Sequence, residues 1–251
     1  MTKIVECVPN FSAGRRPEIV AQIRSTPRFI TPPPLESGDR LSRREFERRY
    51  EARPDLKKAE LIEGVVYMPS PVHYKGHGHP HLQIITWLGV YVAATPGAQA
   101  ADNATVRLDR NNEVQPDVLL RMATAGRSRL TDDDYLEGAP ELLIEIAGSS
   151  ATIDLYDKLK IYQRNGVQEY IVWQVYEERL DWFQLIDDGY QPLPPDDAGV
   201  IRSQVFPGLW LNVNALLDNK LAEALATLQL GLQSPEHAAF IAQLATSSQG
   251  S

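Results

Sequence analysis

Between residues 141 and 173 the polarity of the chain changes period twice. Residues 141–147, ELLIEIA, are a short run rich in Leu and Ile, bounded by Gly148-Ser149-Ser150, which predicts a strand buried on both faces. An amphipathic stretch follows, and then a second apolar run ending in YIVW, so the segment reads as strand, helix, strand. Glu145 stands in the middle of the first strand. An ionised carboxylate there costs several kcal/mol unless it is paired or bound to a metal, so its position asks for a partner.

The same pattern organises the rest of the chain. Residues 4–8 read as a strand, with a turn at Pro9-Asn10 and a helix carrying Pro17 in its first turn. Residues 26–38, rich in proline, read as a linker. Ser42-Arg43-Arg44-Glu45 has the spacing of a capping box and predicts a helix that presents Phe46 and Tyr50 on one face and ends at Pro54. Residues 59–68 read as a hairpin turning at Glu63-Gly64. A helix over 82–94 should bury Leu82, Ile85, Leu88 and Val92. Residues 105–108 and 114–122 read as the two strands of a hairpin around Asn111-Asn112, and 126–138 as a polar loop. RLDWFQLI and the Gly189-Tyr190 turn predict another antiparallel hairpin, followed by the apolar segment VFPGLWLNV. Residues 214–247 read as two helices, the second opening at Ser234-Pro235. The domain plan is thus an appendage (1–25), a linker (26–38), one large α+β domain (39–213) and a helical extension (214–251).

Composition narrows the class. With 251 residues, 43% of them hydrophobic, the chain can bury one sizeable core. Its longest apolar stretch, 82–94, is too short and too polar to span a bilayer. No secretory signal opens it, and the single cysteine, Cys7, allows no internal disulfide, which together lead us to expect a cytoplasmic protein without a membrane partner. The formal net charge of -8 argues against a surface that attracts nucleic acid everywhere. Locally the balance reverses: residues 40–58 carry eight Lys or Arg against four acids, either a phosphate-facing patch or a solvated helix laced with ion pairs.

Four of the five histidines, His73, His77, His79 and His81, crowd one segment. In an extended loop, positions 77, 79 and 81 would face one way, as a zinc site requires. The other reading is a loop at the mouth of an active site, with His81 near the start of the following helix.

Three further residues form a constellation with chemistry. Asp117 opens a strand, Glu145 lies within the next, and Lys158 sits on the helix after that. At about 100° per residue from Leu155, Lys158 falls near about -60°, beside the apolar face, whereas Lys160 points away. Two carboxylates converging from adjacent strands can hold a hard cation such as Mg²⁺, and a lysine beside them can orient water or neutralise phosphate charge.

At these positions the sequence resembles a known family. QPD at 115–117, ELLIEI at 141–146, D-x-x-x-K-L-x-x-Y at 154–162 and NGVQEYIV at 165–172, with AELIEGVVYMPSP at 59–71, resemble the Uma-two family of predicted restriction endonucleases, within the PD-(D/E)XK nuclease superfamily. The resemblance implies an α+β fold, a mixed sheet flanked by helices in the order helix, three strands, helix, strand. It also implies a Mg²⁺- or Mn²⁺-dependent endonuclease acting on DNA, and it allows a homodimer. Carried over by motif, Asp117 and Glu145 would be metal ligands, Lys158 the catalytic lysine, and Glu60 a further catalytic acid. The superfamily's usual lysine position is Ala147 here, so the lysine has moved to the helix. The alternative is a catalytically inactive nuclease-fold module that binds nucleic acid or regulates. Separately, ECVPNFS within residues 1–23 resembles the start of formiminotransferases.

Overall fold

Contacts divide the chain into two units, Met1–Pro33 and Pro34–Ser251. The computed structural model describes residues 32–69, 71–148 and 153–247, so the strand and helix expected in residues 1–25, most of the linker and Cys7 lie outside the described residues.

Helix α1 (Arg43–Glu51) precedes strands β1 (Glu60–Ile62) and β2 (Val65–Tyr67). A π-helical turn, Tyr74–Gly78, leads into α2 (His79–Ala94). Then come β3 (Ala98–Asp102), β4 (Val106–Asp109), β5 (Asn112–Val114), β6 (Val118–Met122), β7 (Arg129–Leu130), β8 (Leu136–Glu137) and β9 (Leu142–Ala147). A second π-helical turn, Ile153–Lys158, continues as α3 (Leu159–Asn165) and delivers β10 (Glu169–Gln174), β11 (Arg179–Ile186) and β12 (Gly189–Pro192). The chain ends with β13 (Val200–Arg202), β14 (Trp210–Asn212), α4 (Val213–Leu217), α5 (Leu221–Leu232) and α6 (Pro235–Ser247).

Two six-stranded sheets result, in the orders β12-β11-β10-β9-β6-β3 and β2-β1-β5-β4-β8-β7. In the first, only β9 and β10 run parallel, because the crossover through α3 returns the chain to the same end of the sheet. Along this sheet the residue period of two divides the side chains between two cores. Val118, Leu120, Leu142, Ile144, Ile146, Ile171 and Trp173 meet Ile84, Trp87, Leu88 and Tyr91 of α2, together with Leu228, Phe240 and Leu244 of the last two helices. Leu119, Leu143, Ala147, Tyr170 and Val172 meet Ile161 and Tyr162 of α3 and Ile62, Val106 and Val114 of the second sheet. Asp117 and Glu145 belong by alternation to this second face. The expected α+β fold, with helix, three strands, helix and strand in α2, β3, β6, β9, α3 and β10, is what the chain forms.

Several local expectations are corrected. The 82–94 helix buries Ile84, Trp87, Leu88 and Tyr91, while Leu82 is exposed. A stretch apolar on every side has no phase that periodicity can fix. Residues 114–122 are not one strand: Pro116 breaks the ladder, β5 ends in one sheet and β6 begins in the other. Strand β3 fills the edge beside β6, the 126–138 loop contains β7 and β8, and residues 213–247 form three helices rather than two. Ser42 does precede α1, but its side chain makes no capping bond, and the Glu45 carboxylate, which a capping box would turn back to the Ser42 N–H, is engaged by Arg48 and Arg49. These pairs, with Arg43–Glu47 and Arg53–Asp55, make residues 43–55 an ion-paired stretch, while Lys57 and Lys58 line a cleft. The Glu63-Gly64 turn forms as expected, with φ of 52° and 73° at its two residues, the left-handed pair that a tight hairpin needs.

Candidate active site

The register of β6 against β9 sets the site. Val118 pairs with Ile144, and one residue further along Asp117 faces Glu145 across the two strands. The Asp117 carboxylate is pinned there, since its Oδ2 accepts a hydrogen bond of 2.7 Å from the backbone N–H of Ile146. Its Oδ1 lies 3.1 Å from His77 Nε2 and 3.6 Å from Lys58 Nζ. Burial alone would push the Asp117 carboxyl up, but the His77 hydrogen bond and the charges of Lys58 and His77 hold it below the usual carboxylate range.

Glu145 receives two donors on one oxygen. Lys158 Nζ approaches Oε1 at 2.9 Å, and the Tyr162 hydroxyl donates to the same atom at 2.8 Å. Lys158 also lies 3.1 Å from Glu60 Oε1 and 3.6 Å from Asp154 Oδ1. Glu60 reaches in from the second sheet, its Oε1 accepting the backbone N–H of Gln115 at 2.8 Å. The four expected residues, Asp117, Glu145, Lys158 and Glu60, therefore line one cleft of about 820 Å³.

Electrostatics in this place are strained. Burial pushes the Glu145 carboxyl up, and Asp154, Asp117 and Glu60 push it further, against the pull of Lys158. Burial would favour a neutral Lys158, but Glu145, Glu60 and Asp154 outweigh it and keep the ammonium charged. A buried cation between carboxylates can thus persist where an isolated one could not. The Tyr162 hydroxyl is likewise held protonated, first by burial and then by Glu145.

The second π-helical turn changes where Lys158 sits. With an extra residue in the turn, Asp154, Lys158, Ile161 and Tyr162 share the buried face, while Leu155 and Leu159 are only partly covered. Lys158 is thus central to that face rather than bordering it, and Lys160 is exposed as expected. The histidine segment is also helical, not extended. His77 and His81, one turn apart, lie with ring centroids 5.2 Å apart beside Asp117, and His81 Nε2 contacts the Asp117 carbonyl oxygen at 3.0 Å and Asp102 at 2.9 Å. His79 instead stacks on Tyr74 and approaches Gln83. Among the described residues no group of three or more His, Cys, Asp or Glu side chains is placed to hold a metal ion, so the His77, His79, His81 zinc arrangement does not form.

The histidine segment does lie at the mouth of the cleft, as expected, but the direct contacts of His77, Lys58 and Asp154 with these groups were not foreseen. Asp154 was detectable from its spacing of four before Lys158. His77 was not, because its direction depends on a π-helical turn that leaves no compositional mark.

A parallel strand pair joined by a helical crossover, with an acid just before β6 opposed to one in β9 and a buried lysine on the crossover, defines a fold of the restriction-endonuclease-like class. The Uma2 family, described as "Putative restriction endonuclease", matches residues 43–214, and the chain belongs to that family. Among solved structures, a "putative nuclease belonging to DUF820" from Anabaena variabilis ATCC 29413 has the same fold, with a TM-score of 0.51 and 14% identity over 64% of this chain and 89% of that one. No curated protein matches.

Proposed function

We propose that the chain is a metal-dependent endonuclease-like phosphodiesterase acting on DNA, with Mg²⁺ (or Mn²⁺) held by Asp117 and Glu145 and with Lys158 and Glu60 assisting. The observation that carries this reading is the meeting of those four side chains, from both sheets and the crossover, at one cleft. The donor set fits a hard cation: all its ligands are oxygens, Mg²⁺ needs only one or two carboxylates beside water and phosphate, and the crowding that pushes Glu145 up is excess negative charge a cation would offset.

When bound, the ion would supply Lewis-acid polarisation of a phosphate and a water of lowered pKa. The protein's own groups do the positioning. Lys158, charged at the floor of the cleft, would neutralise charge on a phosphate oxygen or steer the attacking water by exchanging one of its carboxylate contacts. Glu60 and Asp154 hold that ammonium in place, and the Ile146 N–H and His77 keep Asp117 ionised and oriented.

Purified protein with Mg²⁺ or Mn²⁺ is expected to cleave DNA, and Asp117→Ala, Glu145→Ala and Lys158→Ala are each expected to abolish it. Uncut DNA under both metals, or variants as fast as the parent, would overturn the proposal. The inactive-module reading draws on the ion pairs from Lys158 to Glu145 and Glu60, which hold the site together without metal. Calorimetric titration with Mg²⁺ separates the two, since only the nuclease reading requires binding that Glu145→Ala removes. We place the activity in residues 39–213, with 214–251 as a helical extension. Deletion of the 1–25 appendage is expected to leave fold and metal binding intact.

A further inference from the structure

We infer that Lys58 holds the cleft-facing oxygen of Asp117 until a divalent cation takes its place, and that the ammonium so released meets a phosphate of the DNA backbone; this deepens, and rests on, the phosphodiesterase reading above. Asp117 Oδ2 is taken by the Ile146 backbone N–H at 2.7 Å, which leaves Oδ1 as the oxygen for a metal ion. That oxygen is met by His77 Nε2 at 3.1 Å and by Lys58 Nζ at 3.6 Å, both from residues that line the cleft. A metal ion on Oδ1 and an ammonium against the same atom repel each other, so the two are alternatives rather than companions.

Two lysines border the acids, and they are held differently. Lys158 has three carboxylates around its Nζ, at 2.9, 3.1 and 3.6 Å, and its side chain is 5% exposed. Among the described residues Lys58 has one, at 3.6 Å, and its side chain is 23% exposed. Its other contact is neutral: Nζ donates to Asn103 Oδ1 at 3.2 Å. Asn103 presents that oxygen because its own Nδ2 donates to Asp102 at 2.8 Å. The Asn103 contact does not depend on Asp117, so a cation arriving at Oδ1 can drive the ammonium from the acid and leave it anchored at the cleft wall. Drawing Lys158 away would strip several buried charges of their partner, whereas moving Lys58 gives up one loose, partly exposed pair. A flexible four-carbon stem and three rotatable donors then let Lys58 follow a phosphate as it enters.

Calorimetric titration of the full chain with Mg²⁺ and fluorescence anisotropy of a labelled DNA duplex test this together. Lys58→Met removes the competing charge, so Mg²⁺ is expected to bind that variant about tenfold more tightly than the parent. With Ca²⁺, which also takes oxygen ligands, the same variant is expected to bind DNA about tenfold more weakly and with a salt dependence lower by about one phosphate contact. In EDTA, where Asp117 keeps the lysine, the loss should be smaller. Lys58→Gln should behave as Lys58→Met does and guards against a variant that misfolds, while Lys58→Arg, its charge kept, should match the parent in Mg²⁺ affinity. Mg²⁺ affinity that Lys58→Met leaves unchanged or lowers, or DNA binding that it leaves unchanged or weakens equally with and without metal, would overturn the inference. The nuclease reading would then still stand if Glu145→Ala abolishes Mg²⁺ binding. A parent that binds no Mg²⁺ would overturn both.

Discussion

Glu145 and Glu169 are buried acids on adjacent parallel strands, each set in an apolar run, yet the molecule uses them differently. They leave opposite faces of the sheet: Glu145 is level with Val172, and Glu169 is level with Leu142. Glu145 meets an ammonium and a phenol beside a cleft. Glu169 meets the Ser203 hydroxyl at 2.7 Å, the backbone N–H groups of Gln204 and Val205 at 2.7 and 3.2 Å, and the Trp182 indole N–H at 3.3 Å. Neutral donors from a loop make Glu169 a fastener between β10 and the segment after β13. A shared cation and a path to solvent make Glu145 a group that can act on something else. The distinction lies in the partners, not in burial.

The comparison breaks most decisively in activity. Glu145→Gln should lower metal-dependent cleavage by about a hundredfold or more, while Glu169→Gln should stay within a few-fold of the parent; equal losses in a DNA-nicking assay would erase the distinction. Stability comes next. Lys158→Met strands Glu145, Glu60 and Asp154 without their cation, and urea denaturation should register a loss of about 3–5 kcal/mol. Glu169→Ala leaves its donors without their acceptor, for an expected loss of about 2 kcal/mol and no change in metal affinity by calorimetry.

The pH dependence has a definite sign. Burial pushes the Glu169 carboxyl up from 4.5 to about 7 despite its donors, and burial, followed by the Glu47 contact, pushes Glu113 up to about 8. The unfolded chain releases these protons near 4.5 while the folded one keeps them, so between 4.5 and about 7 to 8 the native state binds more protons and stability must fall as pH rises. Thermal melts should show stability declining across that window, less steeply in Glu169→Gln; a rise with pH would contradict it. The smallest effect expected is from the cation itself. At tenfold its dissociation constant, Mg²⁺ should stabilise the parent by about 1.4 kcal/mol and Glu145→Gln not at all, read from the shift in melting temperature.

Much of this was legible in the residues. The strand around Glu145, the crossover to β10 and the opposition of Asp117 follow from short apolar runs and their boundaries, because burial on both faces leaves a compositional signature. What was hidden depended on long-range geometry. The buried face of α2 could not be phased from a uniformly apolar run, and β3, with its small and largely exposed residues, offers no apolar run to read. The two π-helical turns, which aim His77 and Lys158, are set by tertiary contacts rather than by any local residue preference. For the same reason Glu145 and Glu169 look alike on the page of letters: the donors that separate them come from residues 13 to 36 positions away.

The bond from the Gln115 backbone to Glu60 sits where the chain passes from one sheet to the other, between β5 and β6. Glu60 in turn reaches Lys158 on the crossover of the large sheet. The seam between the sheets and the acid site are therefore one joint. Parting the sheets would pull Glu60 from the lysine, so loosening that seam breaks up the buried charge cluster before either sheet has lost a strand.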